Sequence, residues 1–227
     1  MKNHQVFSKC FLLLLCFCLG FTFFLLLDIL DASEIAQPKK QIEIAEKAAE
    51  PEKRIAQDYI DIGHRYSNAA MNYGGKREFQ KANEAYQKAI DAYQEAIRLE
   101  PENPYIYRYL AGTYSNYGQK KQAIETIQKA IKLKPDESSF YYSLGLSYYY
   151  SDYPDKYNKA IIALKKALDL KPDYPNALFQ LGLSYLKLKN FKAASKESKI
   201  LQDMDDEDAV EKGEFLEKLI KDTLRKK

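Results

Sequence analysis

Histidine occurs only at His4 and His64, so the chain has no histidine pair to hold zinc and no Ser-His-Asp or Cys-His arrangement in its later part. Cys10, Cys16 and Cys18 all lie in or beside one N-terminal apolar run, which leaves the remainder without a thiol for a disulfide framework or a Cys-ligated metal. Carboxylates are plentiful but sit among lysines as solvated helix faces, with no distinct acid–base pair. Gly74 and Gly75 are followed by Lys76 and Arg77 without the spacing of a phosphate loop. The run Asp203, Asp205, Asp206, Glu207 and Asp208 could suggest a cation site, but acidic residues are also what a helix dipole favours at its start, and that is the reading taken. The expectation is a non-enzyme, with no catalytic residue, cofactor or metal.

Tyrosine is the residue type that stands out, with 19 copies against no tryptophan. A phenol combines a large apolar ring with a polar tip, the combination that binding surfaces use. Lys and Arg total 35 against 32 Asp and Glu, with both signs interspersed. That lacks the concentrated basic stripe of a nucleic-acid binder, so nucleic acid is not an expected partner. With 227 residues and 46% hydrophobic content, one elongated or compact domain plus a targeting segment is accommodated.

The targeting segment is residues 11–27, apolar apart from Gly20 and Thr22, preceded by Lys2 and Lys9 and closed by Asp28 and Asp31. Its length exceeds a usual signal-peptide core and reaches the low end for a spanning helix. An uncleaved single-pass anchor at 1–30 is the reading, with a cleaved signal as the alternative, Leu30 and Ala32 being the best small-residue pair. A short basic head stays in the cytoplasm, which favours an extracytoplasmic location for the rest. No small residues precede Cys16 or Cys18 as in a lipoprotein box.

The elements that must carry the tyrosines are helices. Residues 31–52 are rich in Lys, Glu and Ala, with Pro38 and Pro51 bounding a short helix, and read as a polar linker. Beyond Pro51, apolar residues recur at i, i+3, i+4 and i+7, and strict alternation is absent, which is an all-α pattern. The pattern repeats. Tyr107, Leu110, Ala111 and Tyr114 are followed by Ala123, Ile127, Ala130 and Pro135; Leu178, Leu181, Gly182, Tyr185 and Ala194 recur at the same offsets. Pro101 to Pro135 is 34 residues and Pro135 to Pro172 is 37, the excess falling at residues 151–155 in the turn within a hairpin. Small residues such as Gly145 and Gly182 let a neighbouring helix approach, and each proline stops a second helix.

These residues resemble the tetratricopeptide repeat family, with Tyr107, Tyr141 and Leu178 where the usual Trp stands. The resemblance implies a helical-hairpin solenoid of about four repeats over 53–206, divided as 53–101, 102–135, 136–172 and 173–206. In the first, Tyr59, Ile62, Gly63 and Tyr66 pair with Ala89, Tyr93, Ala96 and Pro101, yet a second register fits seven residues inward. Two long helices turning at Gly74 and Gly75 satisfy both. Residues 207–227, with Val210, Phe215, Leu216, Leu219 and Ile220, are expected as a C-terminal capping helix.

Helix A of the third repeat carries a second stripe, Tyr142, Leu146, Tyr149 and Tyr150, beside its buried one; Phe179, Leu183 and Leu186 repeat it in the fourth. In the family that face lines a concave groove holding an extended or helical segment of a protein partner. The resemblance implies a groove of these residues with Asn176 and Gln180, ending in a polar part with Tyr105, Arg108, Tyr109 and Asn116. The alternative is that the stripe packs on the adjacent hairpin or lies under the chain's own C-terminal helix. Only Arg108 remains of the basic pairs that clamp a partner's C-terminal carboxylate in chaperone co-factors. The functional expectation is a membrane-tethered scaffold for a protein complex, with a secreted soluble scaffold or a self-associating homo-oligomer as alternatives.

Overall fold

The structure is a computed structural model and describes residues 32–225. The chain divides into two compact units, Met1–Pro51 and Glu52–Lys227. The apolar run at 11–27 lies outside the described residues; among those described, no helix is long and apolar enough to cross a membrane.

The described residues form helices and no strand: α1 (Ala32–Gly75), α2 (Phe79–Leu99), α3 (Pro104–Asn116), α4 (Lys120–Leu133), α5 (Ser138–Tyr149), α6 (Lys156–Leu170), α7 (Pro175–Lys187), α8 (Phe191–Gln202) and α9 (Glu207–Arg225). α1 runs through Pro38 and Pro51, the two residues expected to bound a short helix within a linker. The Ala, Glu and Lys around them are strong helix formers.

Three of the hairpin turns close alike. The backbone N–H of Glu78, Gln119 and Asn190 donates to the carbonyl of Tyr73, Tyr114 and Tyr185, five residues back. One residue before each donor has positive φ: Arg77 (62°), Gly118 (89°) and Lys189 (58°). This is the left-handed closure that satisfies a helix's last carbonyls. The first turn thus bends at Arg77, while Gly74 and Gly75 still belong to α1. The inserted residues lengthen the loop between α5 and α6, where Ser151 is buried, its Oγ donates to the Tyr148 carbonyl at 2.8 Å, and Lys156 Nζ donates to the Ser151 carbonyl at 2.8 Å.

Packing within the hairpins follows the small residues. A Cβ on Gly63 would stand 2.6 Å from Tyr93 Cε1, and one on Gly145 2.7 Å from Leu164 Cγ. In the fourth hairpin Ser198 occupies the place of Tyr93 and Leu164, and the space at Gly182 is filled by Leu216 of α9. Ser198 Oγ instead donates to the Gly213 carbonyl at 2.8 Å, with Gly213 itself pressed on the backbone of α8. The weak repeat signature after Ala194 is therefore an adaptation to the helix that seals the array. The acidic run before α9 works as helix-start chemistry: Asp206 Oδ1 accepts from the Asp208 N–H at 3.0 Å, and Glu207 and Asp208 lie in the first turn.

The second and third hairpins each pin themselves to the one before. Tyr107 Oη donates to the Pro101 carbonyl at 2.9 Å and Tyr141 Oη to the Pro135 carbonyl at 3.0 Å. The phenols standing where tryptophan is usual thus tie α3 and α5 to the proline that follows the previous second helix, whereas Leu178 of α7 has no hydroxyl to do so. Among α3 to α9, successive first helices touch (α3 with α5, α5 with α7, α7 with α9), whereas α4, α6 and α8 do not touch one another. The array closes on its first-helix side, so the inner face is made by α3, α5, α7 and α9.

Candidate partner groove

Along the inner face the residues at matching places are Arg108, Gly112 and Ser115 on α3, Tyr142, Leu146 and Tyr149 on α5, and Phe179, Leu183 and Leu186 on α7. They do not form one continuous open stripe. Phe179, Leu183 and Leu186 are half-buried against Ala194, Leu216 and Ile220, and Phe179 lies 6.2 Å from the Phe215 ring. At this end the alternative holds: α9 covers the stripe. Asn176 is exposed and Gln180 is buried.

On α5 the stripe gathers phenols. Tyr142 meets Tyr174 at 5.1 Å between ring centres, and Tyr149 meets Tyr150 at 4.9 Å and Tyr157 at 5.3 Å. Tyr142, Leu146 and Tyr149 are half-buried, and Tyr150 is 57% exposed. Burial pushes the phenols of Tyr142 and Tyr149 up to about 12, helped in each case by neighbouring phenols that disfavour a second negative charge. Lysines lie over this aromatic surface: Lys171 over Tyr174 at 5.1 Å and Lys120 over Tyr150 at 6.0 Å.

The α3 end is more varied than its polar sequence suggested. The Arg108 guanidinium lies on the Tyr109 ring at 4.6 Å, and His64 meets the same ring edge-on at 4.5 Å. Tyr93 stacks beneath at 6.1 Å from Tyr109, and Ser67 and Thr113, whose hydroxyl oxygens are 2.8 Å apart, partly offset the effect of burial on its phenol. Burial drives the Tyr93 phenol well above its ordinary range. Tyr105 Oη donates to Glu137 Oε2 at 3.3 Å and accepts from Lys134 Nζ at 2.8 Å. Asn116 points away to Met71 Sδ, at 3.7 Å. Gly112 has nothing within 4 Å of where a Cβ would stand, so the face is open there.

Tyr174, Tyr157 and His64 belong to this surface and are not among the groove residues expected from the sequence, where His64 reads as a structural histidine. Tyr174 sits in the turn before Pro175, where Asn103 and Glu137 stand in the earlier repeats. That departure from two capping residues was the available signal.

Residues 81–144 match the family model described as tetratricopeptide repeat, and residues 155–189 match one described as TPR repeat. Among solved structures, the chain is similar to a crystal structure of MamA protein, with TM-score 0.50 and 22% identity over 75% of this chain and 87% of that one. It is also similar to a thermophilic TPR protein of Thermus thermophilus, with TM-score 0.56 and 19% identity over 74% and 82%. At such identities the likeness is one of fold. No curated protein matches the sequence. The described helices form an all-helical solenoid of the tetratricopeptide-repeat type.

Proposed function

We propose that this protein is a membrane-tethered interaction scaffold that holds a segment of a protein partner on its inner face and helps assemble a complex there. The observation that carries the reading is the phenol cluster of Tyr142, Tyr149, Tyr150 and Tyr174, which the chain's own capping helix leaves uncovered while it covers Phe179 and Leu183. Preformed helices spare the ordering cost of binding, and aromatic anchors supply most of the affinity. The tether is assigned to residues 11–27, with the repeats on the extracytoplasmic side, as the apolar run and its basic head favour.

The test is affinity capture from detergent-solubilised membranes with the full chain as bait, beside Leu146→Ala with Tyr149→Ala in the same chain. The paired substitution is expected to lose the proteins that co-purify, with its helical circular dichroism unchanged. Equal capture by both chains overturns the groove; release of the chain by alkaline extraction overturns the tether and leaves a soluble scaffold. A second reading, self-association, is favoured by one observation: Ile55, Ile62 and Tyr66 of α1 are 48%, 39% and 37% exposed along one side of the helix.

A further inference from the structure

Two donors on the inner face are buried without an acceptor: Arg108 Nε and Gln180 Nε2. Among the described residues no orphaned side-chain acceptor accompanies them. Leaving a buried N–H unpaired is costly, so the chemistry missing from this face is an acceptor. Gln180 is 5% exposed, and the hydroxyl beside it on α7 is already committed, since Ser184 Oγ donates to the Gln180 backbone carbonyl at 2.8 Å.

Arg108 narrows the kind of acceptor. Its guanidinium is half-buried, stacked on Tyr109, and among the described residues no carboxylate forms an ion pair with it. The acid at this end of the groove, Glu137, is engaged by Lys134, Ser139 and Tyr105. Arg108 and Tyr142 hold matching places on first helices that touch, and Tyr142 meets Tyr174. Burial raises the Tyr174 phenol, the field of Arg108 draws it back and that of Glu137 raises it. Lys171 adds a second cation over the Tyr174 ring. A guanidinium offers five N–H groups in a planar fork that matches a carboxylate, and a ring behind it holds that plane in place. Gly112, one turn along α3, leaves the approach open.

We propose that the groove selects a partner segment carrying an aspartate or glutamate side chain, which Arg108 receives while an adjoining apolar or aromatic residue lies on Tyr142 and Tyr174. The inference rests on the protein-binding reading above and names the chemistry of the partner. It concerns an internal acidic side chain, since Arg108 alone remains of the basic first-helix positions that would clamp a chain end.

The probe is a phage-displayed library of random peptides, panned on the detergent-solubilised full chain. Peptides with an acidic residue beside an aromatic or aliphatic one are expected to be enriched. The synthetic form of an enriched peptide should bind Arg108→Gln about 10- to 100-fold more weakly, the range for losing a charged hydrogen bond. Exchanging the peptide's Glu for Gln should cost the same on the unaltered protein, and combining both changes should cost little more than either alone. Arg108→Lys, which keeps charge without the fork, should restore part of the affinity. Enriched peptides without acidic residues, or equal binding by Arg108→Gln, overturn the acidic preference and leave the groove intact. Enrichment of no peptide, or of peptides held equally by the Leu146→Ala, Tyr149→Ala chain, overturns the groove and this inference with it. If Arg108→Gln fails to fold, the peptide's Glu-to-Gln exchange decides alone.

Discussion

Tyr142 and Tyr149 hold their protons well beyond the ordinary phenol value of 10.0, to about 12, chiefly because burial disfavours the phenolate. A group whose folded pKa lies above its unfolded value supports the fold fully below the unfolded value and loses that support as pH climbs to the folded one. Their contribution is therefore intact at neutral pH and disappears between roughly pH 10 and 12. A chain with both changed to Phe should lose less of its melting temperature across that interval than the unaltered chain, read by circular dichroism at each pH. An identical decline in both would mean that these rings titrate as free phenols. Single residues were also where the sequence was hardest to read. Tyr149 follows Tyr142 by two helical turns, an offset that periodicity makes visible, whereas Tyr174 lies in a turn, where helical periodicity says nothing.

Among the elements, two glycines on first helices answer to opposite physics. Gly145 faces α6 and has Leu164 where a Cβ would go, whereas Gly112 faces open space. Gly145→Ala must push a core side chain aside and should cost about 1–3 kcal/mol. Gly112→Ala relieves only the entropic weakness of glycine in a helix and should gain about 0.5–1 kcal/mol. Urea midpoints of the two variants should move in opposite directions, and movement in the same direction would refute the assignment of faces. The hairpins themselves were legible because close helix contacts demand small residues at fixed offsets, and Gly63, Gly145, Ala123, Ala160 and Ala194 meet that demand. The role of the α7 stripe was not legible. Phe179, Leu183 and Leu186 have the spacing of a groove, and the same spacing suits a surface that another helix covers. Only the position of α9 separates the two, and that position follows from Ser198 and Gly213, small residues that no repeat pattern required.

For the molecule as a whole, the two ends of the repeat unit differ. At α1, Ile62 and Tyr66 were expected in the hairpin's buried stripe but are exposed, because this side of a first helix is covered by a preceding hairpin and α2 supplies only its own. Lys88 overlies Tyr66 at 5.4 Å, and Lys81, paired with Glu78, overlies Tyr73 at 5.7 Å. If this face pairs with a second copy, the apparent mass in a light-scattering dilution series should fall with concentration, and Ile62→Asp with Tyr66→Asp should give the single-chain mass throughout. A concentration-independent monomer refutes the second reading.

The opposite end is stopped by α9, whose Leu216 fills the gap at Gly182 and whose exposed side carries Glu211, Glu214, Lys218 and Lys221 together with Phe215 and Leu224. That plug makes the two ends of the array unlike. The tail sets Phe215 and Leu224 among charges, whereas the head presents Ile62 and Tyr66. Two copies paired through the Ile62 and Tyr66 face would join like to like about a two-fold axis, and an assembly of that symmetry closes at two chains without extending into a filament.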